Sequence, residues 1–292
     1  DYIFVQEKIA SVEECAPHLF IEHVLPKKKL SNKITHIVFQ HGAIEYHKRH
    51  FELIEHIAQD LKTDYVISSL DLVGHGKSGG DRGHVSSFSV FTRDWINFLE
   101  HCRNKYYEDR EVETIVISHS LGGLIVMSAI FNEENNLPVS ISKTIFCNPC
   151  LKPKLEIPSQ FLRMMESNMF SALGKVRIPL IYNGQDLTHD SEKIIEFTDD
   201  TLISKAITIN LGLEILKACK MLSGQSYFYP YPALFLISGD DRVVDNDKTK
   251  VFLSGMEKDL MKMKFYPGML HDLLNETCRT AVFEEIMDFI KN

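Results

Sequence analysis

The sequence is short of cysteine, of clustered basic charge and of long apolar runs. Six cysteines in 292 residues are too few and too scattered for a disulfide-stapled scaffold. Cys147 and Cys150 have the C-x-x-C spacing, but no second pair accompanies them and an apolar run, Thr144-Ile145-Phe146, precedes them. Buried free thiols are expected there. The net charge is -8, and the basic run Lys27-Lys28-Lys29, next to Pro26, reads as a solvated turn. That balance argues against a nucleic-acid partner and against electrostatic adhesion to anionic lipid. No apolar stretch is long enough to span a bilayer, so no transmembrane segment is expected. The expected compartment is the cytoplasm, though a first residue of Asp1 is compatible with a removed signal peptide. No feature points to an oligomeric state.

Two chemistries are missing as well. There is no H-E-x-x-H, and the scattered histidines show no ligand spacing with carboxylates, so no metal is expected. No organic cofactor is expected either. Gly74-His75-Gly76-Lys77-Ser78-Gly79 contains Gly-Lys-Ser, but one residue between the first two glycines breaks the G-x-x-x-x-G-K-[ST] spacing. Asp71 upstream would also repel phosphate. A Gly-rich turn is the better reading.

What is present is alternation. Short β-branched runs at His18–Val24, Thr35–Gln40, Tyr65–Leu70, Thr114–Ser118, Lys143–Cys147, Ala233–Ser238 and Met261–Tyr266 read as strands buried on both faces. Helical faces lie between and after them: Phe51, Ile54, Ala58 and Leu61; Phe91, Trp95, Phe98 and Cys102; Val282, Ile286, Phe289 and Ile290. The fold class is therefore α/β, a mostly parallel sheet covered on both sides. From about Leu151 to Tyr229 the alternation stops. Ser159–Leu173, Ser191–Asp199 and Ile203–Leu222 all read as helical there. This suggests a core of residues 1–150 and 230–292, with 151–229 inserted over the sheet as a helical cap.

The most informative segment is Thr114-Ile115-Val116-Ile117-Ser118-His119-Ser120-Leu121-Gly122-Gly123, which reads strand, sharp turn, helix. A serine on such a turn stands exposed at the end of a sheet, and the residues two before and two after it must be small. A nucleophilic serine needs a base, and the base an orienting acid, in the chain order Ser, Asp or Glu, His. His271 is the only histidine after His189, and it follows the last strand. Asp240, Asp241 and Asp245 share the loop after the preceding strand, and position alone does not choose among them. An oxyanion hole needs two backbone donors. Leu121, directly after the nucleophile, supplies one. The other is expected from Ala43 in the loop His41-Gly42-Ala43-Ile44-Glu45, where His41 and Glu45 are expected to brace the loop rather than act on substrate.

Taken together, these residues resemble the monoglyceride lipase and lysophospholipase group of the α/β hydrolases, the group also called serine aminopeptidase S33. His41–Glu45 is similar to the HGxxE oxyanion loop, and Asp71–Ser78 to the D-x-x-GHG-x-S turn. Ser118-His119-Ser120-Leu121-Gly122-Gly123 resembles GHSxGG, with Ser118 in place of the usual glycine. Gly239–Asp245 and Tyr266–Glu276 resemble the acid and histidine loops. The resemblance implies an α/β-hydrolase fold with a cap at the Leu151–Tyr229 break. It selects Asp241 as the acid and implies a supporting role for His119 and Gly122.

The expected activity is hydrolysis of a carboxylic ester through an acyl-enzyme, with a single-chain lipid (a monoacylglycerol or lysophospholipid) as substrate. In the cap, Phe161, Leu162, Met165, Met169 and Phe170 are expected to line an acyl pocket, and transient contact with a membrane surface through the cap fits that substrate. A short-chain carboxylesterase, thioesterase or peptidase on the same scaffold stays open, as does a non-catalytic binding protein.

Overall fold

The computed structural model describes residues 2–133, 136–154 and 173–292. An eight-stranded sheet forms its centre: β1 (Tyr2–Ile9), β2 (Leu19–Pro26), β3 (Lys33–Gln40), β4 (Asp64–Leu70), β5 (Glu111–His119), β6 (Ile141–Cys147), β9 (Ala233–Ser238) and β10 (Met261–Tyr266). The spatial order is β1-β2-β4-β3-β5-β6-β9-β10. The pairings β1–β2 and β2–β4 are antiparallel and the others parallel. The central strands are buried along most of their length because both of their faces are covered. Val38, Val116 and Phe235 point to one layer, and Ile37, Ile117 and Leu234 to the other.

Helices α1 (Phe51–Asp60) and α8 (Arg279–Lys291) cover one face. Helices α2 (Phe88–Tyr106), α3 (Leu121–Glu133) and α6 (Ile209–Leu222) cover the other. The expected stripe Phe91, Trp95, Phe98, Cys102 on α2 is wholly buried. On α1 the buried stripe is Leu53, Ile54, Ile57 and Ala58; Phe51 and Leu61 pack only partly against it. Ser87 caps α2 through Ser89 N–H, which fixes where that helix begins.

The stretch between β6 and β9 departs from the sequence reading, which expects helices alone there. Residues expected to begin a helix at Ile203 instead form β8 (Ala206–Thr208), paired antiparallel with β7 (Arg177–Pro179). The helix α6 starts afterwards because Thr208 caps it, accepting from Leu211 N–H. Short helices α4 (Gly184–Leu187) and α5 (Ser191–Asp199) precede this ribbon's second strand. Helix α7 (Asn246–Leu253) follows β9. Phe161, Leu162, Met165, Met169 and Phe170 lie outside the described residues. Among the described residues, no helix is long and apolar enough to cross a membrane.

Candidate active site

The carboxyl ends of β3, β5, β6, β9 and β10 lie side by side, the place where ligands bind in open α/β sheets. Ser120 sits between the end of β5 and the start of α3 with φ 50°, a left-handed conformation that costs a non-glycine residue free energy. Its neighbours hold it there. Ser120 N–H donates to the Cys147 carbonyl at 3.0 Å, and the Ser120 carbonyl accepts from Cys150 N–H at 2.9 Å. Ser118, in place of the usual glycine, is fully buried, and its hydroxyl donates to the Ile145 carbonyl at 3.3 Å. A satisfied hydroxyl explains why the turn tolerates it.

Gly122 is less replaceable. A Cβ there would stand 2.4 Å from the Gln40 carbonyl oxygen and 2.6 Å from that of His41. Both are backbone atoms at the end of β3, so neither can swing away. Gly122→Ala should cost about 1–3 kcal/mol of stability, read from urea unfolding, and should lower turnover further by pushing the two loops apart.

Ser120 Oγ and His271 Nε2 are 2.9 Å apart, and His271 Nδ1 and Asp241 Oδ2 are 2.8 Å apart. All three residues are buried. The other carboxylate oxygen of Asp241 accepts from Val243 N–H at 2.8 Å and Val244 N–H at 2.7 Å. Burial pushes the Asp241 carboxyl up, but His271 and the two amides outweigh it and leave it below the usual aspartate value. Of the other two candidates, Asp240 is exposed and Asp245 caps α7 by accepting from Asp247 N–H. The structure thus brings Asp241 to His271.

The loop after β3 faces this relay. Ile44 has φ 63°, a costly conformation for a β-branched residue. Gly42 N–H donates to Glu45 Oε1 at 2.7 Å, closing the loop on itself. His41 accepts Leu72 N–H on Nε2 at 3.0 Å, so its Nδ1 carries the proton and donates to the Gly42 carbonyl at 2.8 Å. Both side chains therefore tie the loop down by hydrogen bonds. Among the described residues, the amides of Ala43 and Leu121 have no hydrogen-bond acceptor. Ala43, Leu121 and Ser120 line one cavity.

Behind the loop lies a buried charged cluster. His119 Nδ1 is 2.8 Å and His50 Nε2 3.0 Å from Glu45 Oε1. Arg49 bridges Glu45 Oε2 at 3.3 Å and Asp272 Oδ2 at 2.8 Å. Burial alone would raise the Glu45 carboxyl, yet His50 and His119 hold it well below the usual range. Burial likewise works against a charged His119, but Glu45 prevails and raises it to about 9. The His119 ring lies 5.1 Å from that of His271.

Asn148 lies outside every catalytic motif read from the sequence. It occupies one of the two positions between Cys147 and Cys150, which are both buried free thiols. Its φ is 42°, which asparagine tolerates better than most residues. Its amide donates to the His271 carbonyl at 2.6 Å and to Ser238 Oγ at 2.7 Å, and its carbonyl accepts from Ser238 N–H at 2.9 Å. One side chain ties the end of β6 to both the acid strand and the histidine loop. The residue before a proline, here Pro149, is the one available signal for such a turn.

With this geometry established, the family follows. Residues 31–278 match the Hydrolase_4 model, described as serine aminopeptidase, S33. The chain belongs to that family. Among its relatives, the uncharacterized protein YnbC of Escherichia coli K12 is 29% identical over 87% of this chain, which spans only 42% of YnbC's own length. Monoglyceride lipase of Rattus norvegicus is 28% identical over 88% of this chain and 82% of its own. Among solved structures, a soluble variant of monoglyceride lipase from Saccharomyces cerevisiae in complex with a substrate analogue superposes with a TM-score of 0.76, at 20% identity, covering 97% of this chain and 93% of that one. The likeness extends through the central sheet, so the Hydrolase_4 chain has the α/β-hydrolase fold.

Proposed function

We propose that this Hydrolase_4 protein is a serine hydrolase that cleaves carboxylic esters of single-chain lipids. The observation that carries this reading is the Ser120–His271–Asp241 relay opening directly onto an apolar cavity. Ser120 Oγ attacks the ester carbonyl while His271 Nε2 takes its proton. Asp241 holds His271 in the tautomer that leaves Nε2 free to accept, and it stabilises the imidazolium that forms. The amides of Ala43 and Leu121 receive the developing oxyanion. His271 protonates the leaving alcohol and then draws a proton from water as water releases the acyl group. Ala43→Pro removes one oxyanion donor and should lower kcat by two to three orders of magnitude, about 3 to 4 kcal/mol.

The substrate class rests on the cavity. Beside Ser120 its wall is built from Ile178, Leu180, Ile207, Ile215 and Val243. All but Val243 come from the stretch between β6 and β9, which supports reading residues 151–229 as a cap that shapes the acyl pocket. Ile181, 70% exposed, also lines it and gives the mouth an apolar lip suited to a lipid surface. A second, smaller recess at Ser120 sets Glu45, Tyr182 and Asp272 beside Leu187 and Phe197, and its polar groups suit a hydroxylated alcohol such as glycerol. The relationship to a monoglyceride lipase supports the same assignment.

The test is hydrolysis of p-nitrophenyl and glyceryl esters across acyl lengths. kcat/KM should climb steeply from acetyl to medium and long chains, since each buried methylene is worth about 0.8 kcal/mol. Equal rates on acetyl and dodecanoyl esters would sink the lipid assignment while leaving ester hydrolysis intact.

A further inference from the structure

At the opposite edge of the sheet from β9 and β10, three side chains from three elements converge. Glu7 is on β1, His23 on β2 and His101 on α2, and one ligand atom from each lies within 4.8 Å of the other two. Glu7 Oε2 is 2.6 Å from His101 Nε2 and 3.8 Å from His23 Nε2. The imidazoles of His23 and His101 lie nearly parallel, 17° apart. We propose that Glu7, His23 and His101 form a transition-metal site that takes Zn2+, with water in the remaining position.

His23 is the deciding residue. It is fully buried, and its Nε2 has no hydrogen-bond partner among the described residues. The 3.8 Å separation from Glu7 is too long for a hydrogen bond. A buried polar atom without a partner is costly, and this one is aimed at a carboxylate and a second imidazole. The other ring nitrogen is fixed from behind. His23 Nδ1 is 2.7 Å from Ser68 Oγ, which is 2.8 Å from His36 Nε2. His36 Nδ1 is in turn 2.6 Å from the Tyr107 hydroxyl, itself 2.8 Å from Thr114 Oγ1. Proton donation can run one way along this whole chain, from His23 Nδ1–H to Ser68, Ser68 to His36 Nε2, His36 Nδ1–H to Tyr107 and Tyr107 to Thr114. In that arrangement His23 Nε2 offers a lone pair to a metal. A hydrogen bond on the far nitrogen is how protein zinc sites orient a histidine ligand.

Two imidazoles, one carboxylate and a water make a familiar ligand set for Zn2+. With bonds of about 2.0–2.2 Å, Glu7 Oε2 and His101 Nε2 must part by less than about 1 Å. Both residues are partly exposed and have room to do so. Lys105 pairs with the other carboxylate oxygen of Glu7, leaving Oε2 for the metal. In sequence these ligands are 16 and 78 positions apart, which is why spacing alone shows no metal motif.

The experiment is Zn2+ titration of the whole protein by calorimetry, with Tm followed in parallel, on wild type, His101→Ala and Glu7→Gln. Wild type should bind one Zn2+ per chain with a Tm rise of roughly 5 °C in excess metal. Each variant should bind at least tenfold more weakly and show no matching rise. Co2+ should give the visible bands of a four-coordinate centre in wild type and lose them in His101→Ala. Both substitutions are at partly exposed positions, and unchanged ester hydrolysis in them certifies folding. Absence of stoichiometric binding to wild type overturns the proposal. So does undiminished binding to His101→Ala, which would place the metal on other groups such as the exposed Cys15.

Discussion

Ser120→Ala should lower kcat for ester hydrolysis by five to six orders of magnitude, roughly the loss expected when a hydrolase's nucleophile is deleted. The size of the effect follows from the absence of a substitute. The described residues around the relay offer His271, Asp241 and the buried cluster on Glu45, none of which can form the same acyl ester at that position. KM should change little, because the apolar cavity that holds the acyl chain is intact. Tm should also stay close to wild type. Alanine accepts φ 50° no worse than serine, and the backbone bonds from Ser120 to Cys147 and Cys150 do not involve the hydroxyl. A fluorophosphonate probe should label wild type and leave Ser120→Ala unlabelled. Undiminished labelling of the variant would place the nucleophile elsewhere.

Asp241→Asn should cost about four orders of magnitude in kcat, and the hydrogen bonds around it say why. The two amides of Val243 and Val244 point at Oδ1, so the asparagine carbonyl oxygen must settle there. Its NH2 then faces His271 Nδ1 and donates to it. That forces the imidazole proton onto Nε2, the atom that has to accept the proton of Ser120. The variant should fold, bind substrate and react slowly with the fluorophosphonate, which separates a tautomer fault from a collapsed site. Stability should shift with pH in a defined direction. The Asp241 pKa is lowered on folding, so its contribution is present above the unfolded value of about 3.9 and fades as pH falls through the lower folded value. Wild type should therefore lose stability in acid more steeply than Asp241→Asn.

The sequence carries much of this architecture in plain view, and the gaps have physical causes. Ala233–Ser238 and Met261–Tyr266 are legible to the residue because turn residues bound both runs. β1 is not, since Tyr2–Ile9 is an edge strand with one face in solvent and carries Glu7 and Lys8 among its apolar residues. β8 hides at the front of α6 because Ala206-Ile207-Thr208 runs straight into an apolar helix, and only the capping threonine marks the change. Ser120 and His271 are identifiable from order and strand context. The choice of Asp241 among three aspartates needs either a family likeness or the two amides that the folded loop aims at it. The contacts of Asn148, Arg49 and Asp272 are invisible beforehand because they reach partners 90 to 223 positions away. Pairings that distant have no local pattern.

The relay also constrains when the protein can work. Ser120 and His271 are 151 positions apart, and the strand that delivers the histidine pairs only with β9. A chain growing from its amino end completes the elbow, the loop after β3 and the first five of the sheet's eight strands while Ser120 still lacks His271. That residue arrives only when the last strand docks and α8 closes over it against α1 and β9. A fragment that stops ahead of Met261 should therefore be unable to hydrolyse esters however well its front half has folded.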